Sequence, residues 1–159
     1  MDLQIKRITL ANWQEFKQIR LEAFKCEPTA FGTQLSDAIG YPDSYWLNMV
    51  GDSNNIIFVA VAANQVVGVM RAAISDPEVP KDTAFIGSAY VNKDFRRRGI
   101  AKQLMTELIA EITKVAGIWA IRLWVNEKQS NALKFYDNFG FVRVGEDLKA
   151  KELILEKVL

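Results

Sequence analysis

Hydrophobic and polar positions along this chain change period several times, and each change marks an element. Leu3 and Ile5 alternate with Gln4 and Lys6 over residues 3–8, the two-residue period of a half-buried strand. Trp13, Phe16, Arg20, Ala23 and Phe24 then recur at helical spacing. Asn12 with Glu15 three residues on reads as a capping box, and Pro28 stops the helix. Residues 29–43, with Gly32, Gly40 and Pro42, read as irregular; a short helix from Asp43-Ser44 then carries Tyr45, Trp46, Met49 and Val50. Residues 56–62 are apolar throughout, as in a strand covered on both faces. A turn at Asn64-Gln65 leads into a second apolar run over 66–74, giving a hairpin. A loop with Pro77 and Pro80 separates it from a strand over 85–91.

The longest helical stripe follows. Ile100, Leu104, Leu108 and Ile112 lie four apart, Ala101, Met105 and Ile109 fill the adjoining row, and Gly117 suits a C-terminal cap. Residues 118–125 form a strand, and Ser130 caps a helix with Ala132, Phe135, Tyr136 and Phe139 on one face, ended by Gly140. Residues 141–144 and 153–159 close the chain as two strands. The order β-α-α-β-β-β-α-β-α-β-β predicts a mixed α+β sheet with helices on its faces. With 159 residues and no repeat or linker, a single domain spanning 1–159 is expected.

Composition narrows the chemistry. Twenty Lys and Arg against nineteen Asp and Glu give a net charge of +1, so bulk attraction to nucleic acid or anionic lipid is not expected. The chain has no histidine and one cysteine, Cys26. That excludes Ser-His-Asp and Cys-His catalysis, imidazole-built metal sites and an internal disulfide framework; no metal site is expected. Cys26 reads as an inert, part-buried thiol, and Trp119 and Trp124 as sheet packing. The first residues lack a signal-peptide core and no apolar run reaches bilayer length, so a soluble cytoplasmic protein without membrane contact is expected.

The informative segment runs from Tyr90 to Ala101. A strand ends, a basic loop with Arg96, Arg97 and Arg98 follows, and the long helix begins near Gly99. The first turn of a helix leaves about four N–H groups unpaired at the positive end of the dipole. Gly99 and Ala101 let a ligand approach that backbone, which makes an anion cradle suited to a pyrophosphate. The arginines add charge-assisted bonds, each worth about 1.5–3 kcal/mol when well formed. No Walker motif exists here, and a lone Gly99 does not make a dinucleotide fingerprint.

Taken together, Arg96-x-x-Gly99-x-Ala101 and, downstream, Ala132-x-x-Phe135-Tyr136-x-x-x-Gly140-Phe141 resemble the GNAT family, the GCN5-related N-acetyltransferases. The motif match covers residues 85–144, and the element order agrees elsewhere. The resemblance implies a GNAT acyl-CoA N-acyltransferase fold, a mostly antiparallel sheet splayed at the cofactor site with helices on both faces. It also implies acetyl-CoA as co-substrate, with an amine acceptor attacking the thioester directly in a ternary complex. The pyrophosphate would rest on Arg96, Arg97, Arg98, Gly99, Ile100, Ala101 and Lys102, and the pantetheine arm along Ala89, Tyr90 and Val91. Tyr136 matches the tyrosine that protonates the departing thiolate. The family often has Asn where this chain has Gln129; Gln129 or the nearby Asn131 would then touch the cofactor. Where some members carry a glutamate base this chain has Phe85, so the general base is unassigned.

The acceptor is expected to meet the N-terminal half, with candidates Phe24, Glu27, Phe31, Tyr41, Tyr45 and Trp46, and Asp76, Glu78 and Asp82 in a later loop. One alternative is a non-catalytic acyl-CoA-binding sensor or scaffold; nucleic-acid binding through Arg96, Arg97 and Arg98 is the weaker rival. A homodimer through the final strand, 153–159, is the oligomer the resemblance allows.

Overall fold

The computed structural model describes residues 2–159. Its strands are β1 (Leu3–Arg7), β2 (Asn55–Ala62), β3 (Gln65–Ala73), β4 (Thr83–Val91), β5 (Ala120–Asn126), β6 (Val142–Asp147) and β7 (Glu152–Val158). Its helices are α1 (Trp13–Cys26), α2 (Leu35–Ala38), α3 (Asp43–Gly51), α4 (Ile100–Thr113) and α5 (Ser130–Asn138), with a single 3₁₀ turn at Lys93–Phe95. The strands form one sheet in the order β1-β2-β3-β4-β5-β7-β6. Every pair is antiparallel except β4 with β5.

Each face of the sheet buries a separate core, so β2 and β3 read as continuous apolar runs. On one face Phe16, Ile19, Ala23 and Phe24 of α1 and Trp46 of α3 cover Ile57, Val59 and Val69. On the other, Ile100, Leu104, Leu108 and Ile112 of α4 cover Phe58, Ala60, Met70, Ala84 and Ile86. Gly68 sets how closely α4 approaches: a Cβ there would lie 3.2 Å from Leu104, 3.3 Å from Ile100 and 3.3 Å from the Tyr90 carbonyl. Gly68→Val overpacks this contact, for an expected loss of about 1–3 kcal/mol. The melting temperature should fall by about 2–4 °C per kcal/mol, measured by thermal unfolding.

Several local expectations need correction. Asn12 precedes α1 but builds no capping box: its Oδ1 accepts from the Thr9 N–H at 2.7 Å, and Glu15 pairs with Lys6 at 2.9 Å. The irregular stretch contains the one-turn α2. The hairpin turn is Ala63-Asn64, both at positive φ, with Gln65 already in β3. Gln129, not Ser130, precedes α5, and no side chain caps it. Cys26 is exposed. Trp119 is 67% exposed outside β5, whereas Trp124 does pack, 5.6 Å from Phe85. The final strand has no free edge for a second copy, because β5 and β6 occupy both its sides. No described helix is long and apolar enough to cross a membrane.

Candidate active site

The site begins where β4 and β5 part. Their parallel pairing covers only Thr83↔Ala120, Ala84↔Ile121 and Phe85↔Arg122, after which β5 continues against β7 alone. From there to Val91, the β4 edge toward β5 is left without a strand partner. Along the same stretch β4 carries an extra residue. Val69 opposes Tyr90 but Arg71 opposes Gly87, a bulge centred on Ser88 at φ +56°. One inserted residue reverses the alternation of faces. Ala84 and Ile86 therefore point toward α4, and Tyr90 points the other way, into the core beneath α1. There its hydroxyl donates to Glu22 at 3.0 Å, and Asn92 Nδ2 donates to the same carboxylate at 2.6 Å. Burial first, then the contacts with Cys26 and Glu22, raises the Tyr90 phenol far above the ordinary tyrosine range.

Beyond β4 the chain turns through Lys93–Phe95 and enters α4. Arg97 and Gly99 both adopt the left-handed conformation, at φ +60° and +76°. Left-handed residues next to a helix start aim successive N–H groups into one concavity. Gln103 is the first residue of α4 whose N–H finds a carbonyl, that of Gly99 at 3.0 Å. Among the described residues, the amides of Arg97, Gly99, Ile100, Ala101 and Lys102 donate to no carbonyl. A Cβ on Gly99 would meet nothing within 4 Å, so the concavity opens outward. A shallow cavity of about 330 Å³, lined by Gly99, Lys102, Gln103, Thr106 and Glu107, continues it along α4. The larger cavity of about 450 Å³ lies elsewhere, against Arg7, Asn54, Glu111 and Lys114, and holds none of the expected site residues. The cradle therefore defines the site; cavity size does not.

The three arginines behave differently from one another. Arg96 folds back: its Nε donates to the Val91 carbonyl at 2.8 Å, it pairs with Glu27, and its guanidinium lies 6.0 Å from the Tyr90 ring. It braces the end of β4 against α1 instead of pointing into the cradle. Arg98 donates to the Asp94 carbonyl at 3.0 Å and lies over Phe95. Arg97 is exposed. With Arg96 drawn to Glu27 and Arg98 lying over Phe95, the three arginines do not make the basic stripe that a nucleic acid would track.

Tyr136 lies on the inner face of α5, 9% exposed, edge-on to Phe135 and Phe141. Burial pushes its phenol up to about 12. Gln129 and Asn131 are both exposed at the start of α5. Phe85 packs on Trp124 and under Arg71, so that position supplies no base. Among the described residues no group of His, Cys, Asp and Glu is arranged to hold a metal.

Two arginines outside the expected site residues sit on the α1 face of the sheet, with Arg71 at the bulge. Arg71 of β3 donates to Asn55 at 2.8 Å and to Ser88 Oγ at 3.4 Å. Arg20 of α1 stacks 4.4 Å from the Phe24 ring and 4.7 Å from the Phe31 ring, and its buried Nη1 has no hydrogen-bond partner. Burial, with Arg71 adding to it and Tyr45 opposing, lowers Arg20 to about 10. The available signal was an arginine on each of two apolar patterns, in the stripe of α1 and the run of β3.

Comparison with known proteins places the fold and the family. The acetyltransferase (GNAT) family matches residues 13–141. N-alpha-acetyltransferase 60 of Xenopus tropicalis is 30% identical over 120 residues, 65% of this chain and 50% of that protein. The chain thus spans about half the length of this curated relative. The PaiA N-acetyltransferase of Thermoplasma acidophilum, solved with coenzyme A, superposes with a TM-score of 0.74 at 20% identity over 100% of both chains. A GNAT-family acetyltransferase of Streptococcus pneumoniae gives 0.80 at 15% identity, covering 99% of each.

Proposed function

Because the chain belongs to the GNAT family of acetyltransferases, we propose that it moves the acetyl group of acetyl-CoA directly onto the nitrogen of an amine acceptor. The observation that carries this reading is the placement of two features side by side. A sheet edge without a strand partner, Gly87 to Val91, runs straight into a cradle of unpaired amides at the start of α4. A CoA molecule presents complementary parts: a pyrophosphate for the amides of Arg97, Gly99, Ile100, Ala101 and Lys102, and an amide-bearing arm for a strand edge. Bound there, acetyl-CoA supplies an activated thioester.

The chain's own residues do the rest. Arg96 fixes the end of β4, so the strand edge and the cradle keep one spacing. The bulge at Ser88 exposes the backbone where the thioester would lie. As the acceptor nitrogen forms its bond to the acetyl carbon and the carbon–sulfur bond breaks, Tyr136 gives its proton to the departing thiolate. The phenol regains that proton from solvent, and the acceptor nitrogen loses its own to water. Gln129 and Asn131 flank the cofactor at the start of α5. Since burial raises Tyr136 to about 12, it remains protonated well above neutral pH.

The test is release of free thiol from acetyl-CoA across a panel of amines and peptides, with the acetylated product identified by mass. At saturating acetyl-CoA, kcat/KM should rise with pH as the acceptor amine loses its proton, with no falling limb below about pH 10. Binding of acetyl-CoA without transfer to any amine would replace this reading with that of a non-catalytic acyl-CoA module.

A further inference from the structure

We propose that Arg20 and Arg71 form a clamp for a carboxylate on the acceptor, so that the amine this enzyme acetylates carries that group a short distance from its nitrogen. The inference rests on the acetyltransferase reading and deepens it.

Arg20 and Arg71 reach the same side of the sheet from α1 and β3. Neither forms an ion pair with a carboxylate among the described residues. Arg71 is anchored by Asn55 and Ser88, which fix its position and leave its charge uncompensated by contact. Arg20 lies 4.4 Å from the Phe24 ring and 4.7 Å from the Phe31 ring, two rings set edge-to-face to each other, so aromatic contacts and no carboxylate hold it. The buried Nη1 without a partner is the unusual feature, because a protein that gained nothing from it would be more stable with a methionine there. Two guanidinium groups on the α1 face of the sheet, one of them at the bulge and neither held by a carboxylate, carry a cost in folding that an anionic ligand would offset. Burial first, and then the charge of Arg71, depresses Arg20.

Charge and shape select the ligand. Arg20 and Arg71 are two cations without an ion-pair partner among the described residues, which an anionic group on the acceptor would match. A planar guanidinium takes a carboxylate in a two-bond fork. Arg71 touches Ser88, the bulge residue beside the proposed thioester position, so the carboxylate and the reacting nitrogen would belong to one small molecule or to one peptide end.

The test compares acceptors in pairs that differ only in this group: amino acids against their primary amides, and dipeptides against dipeptide amides. The wild-type protein should prefer the carboxylate member by about tenfold or more in kcat/KM. In Arg20→Met that ratio should collapse toward unity through KM, and Arg20→Lys should restore part of it. Arg71→Lys, which keeps the charge, guards against a misfolded Arg20 variant and should also reduce the ratio. Thermal unfolding should show Arg20→Met at least as stable as wild type. A wild type without carboxylate preference, or variants that keep it, would overturn the clamp alone. Failure of wild type to bind acetyl-CoA in calorimetry would instead overturn the acetyltransferase reading.

Discussion

Tyr136→Phe should lower kcat by about 10²–10⁴-fold, the usual worth of a general acid, while acetyl-CoA binding and the fold persist. The substitution removes one oxygen and leaves the ring that packs against Phe135 and Phe141, so the core of α5 is preserved. Burial keeps the phenol protonated at and above neutral pH and also makes it a weaker acid, so transfer requires that the departing sulfur be desolvated beside it. Pre-steady-state mixing separates transfer from product release. A change below about twofold in the transfer step would make Tyr136 a packing residue.

Gly99→Asp should weaken acetyl-CoA binding by about 100-fold or more. Asp tolerates the left-handed conformation that Gly99 adopts at φ +76°, and space is open around its Cβ. A carboxylate at a helix N-terminus also favours the helix, so the variant should fold and α4 should not fray. Yet the same carboxylate accepts from the amides intended for the pyrophosphate and places a like charge within a few ångströms of it. At an effective dielectric near 20, one such repulsion at about 4 Å is worth up to about 4 kcal/mol. Gly99→Ala, which carries no charge, isolates the backbone contribution and should cost far less. Competition against a fluorescent CoA analogue measures both, and equal affinities for wild type and Gly99→Asp would place the pyrophosphate elsewhere.

The order of strands and helices was legible in the sequence because period and punctuation carry it, whereas the splayed sheet was implied only by the family resemblance. The four-residue stripe from Ile100 to Ile112 could only be a helix on an apolar sheet, and Gly99 marked its start. The bulge was less legible. Ser88 carries no turn signature, and only pairing with β3 reveals the extra residue that swings Tyr90 toward Glu22. Arg96 shows why a motif does not give a side chain's task. Its place before Gly99 implied a phosphate contact, but Glu27 and the Val91 carbonyl, far and near in sequence, draw it away. Arg20 and Arg71 lie 51 positions apart by number, and no local rule could join them. Asn12 and Trp119 failed for simpler reasons: the side chain of Asn12 closed the loop behind it, and Trp119 fell one residue before β5.

The central claim is that acetyl-CoA lies along β4 and against the start of α4, and amide chemical shifts followed by NMR during titration with acetyl-CoA test it most directly. The account predicts that the largest changes fall on residues 86–91 and 97–102, with smaller ones at Gln129 and Asn131. Binding that leaves those amides unmoved, or the absence of binding by the folded protein, would contradict it.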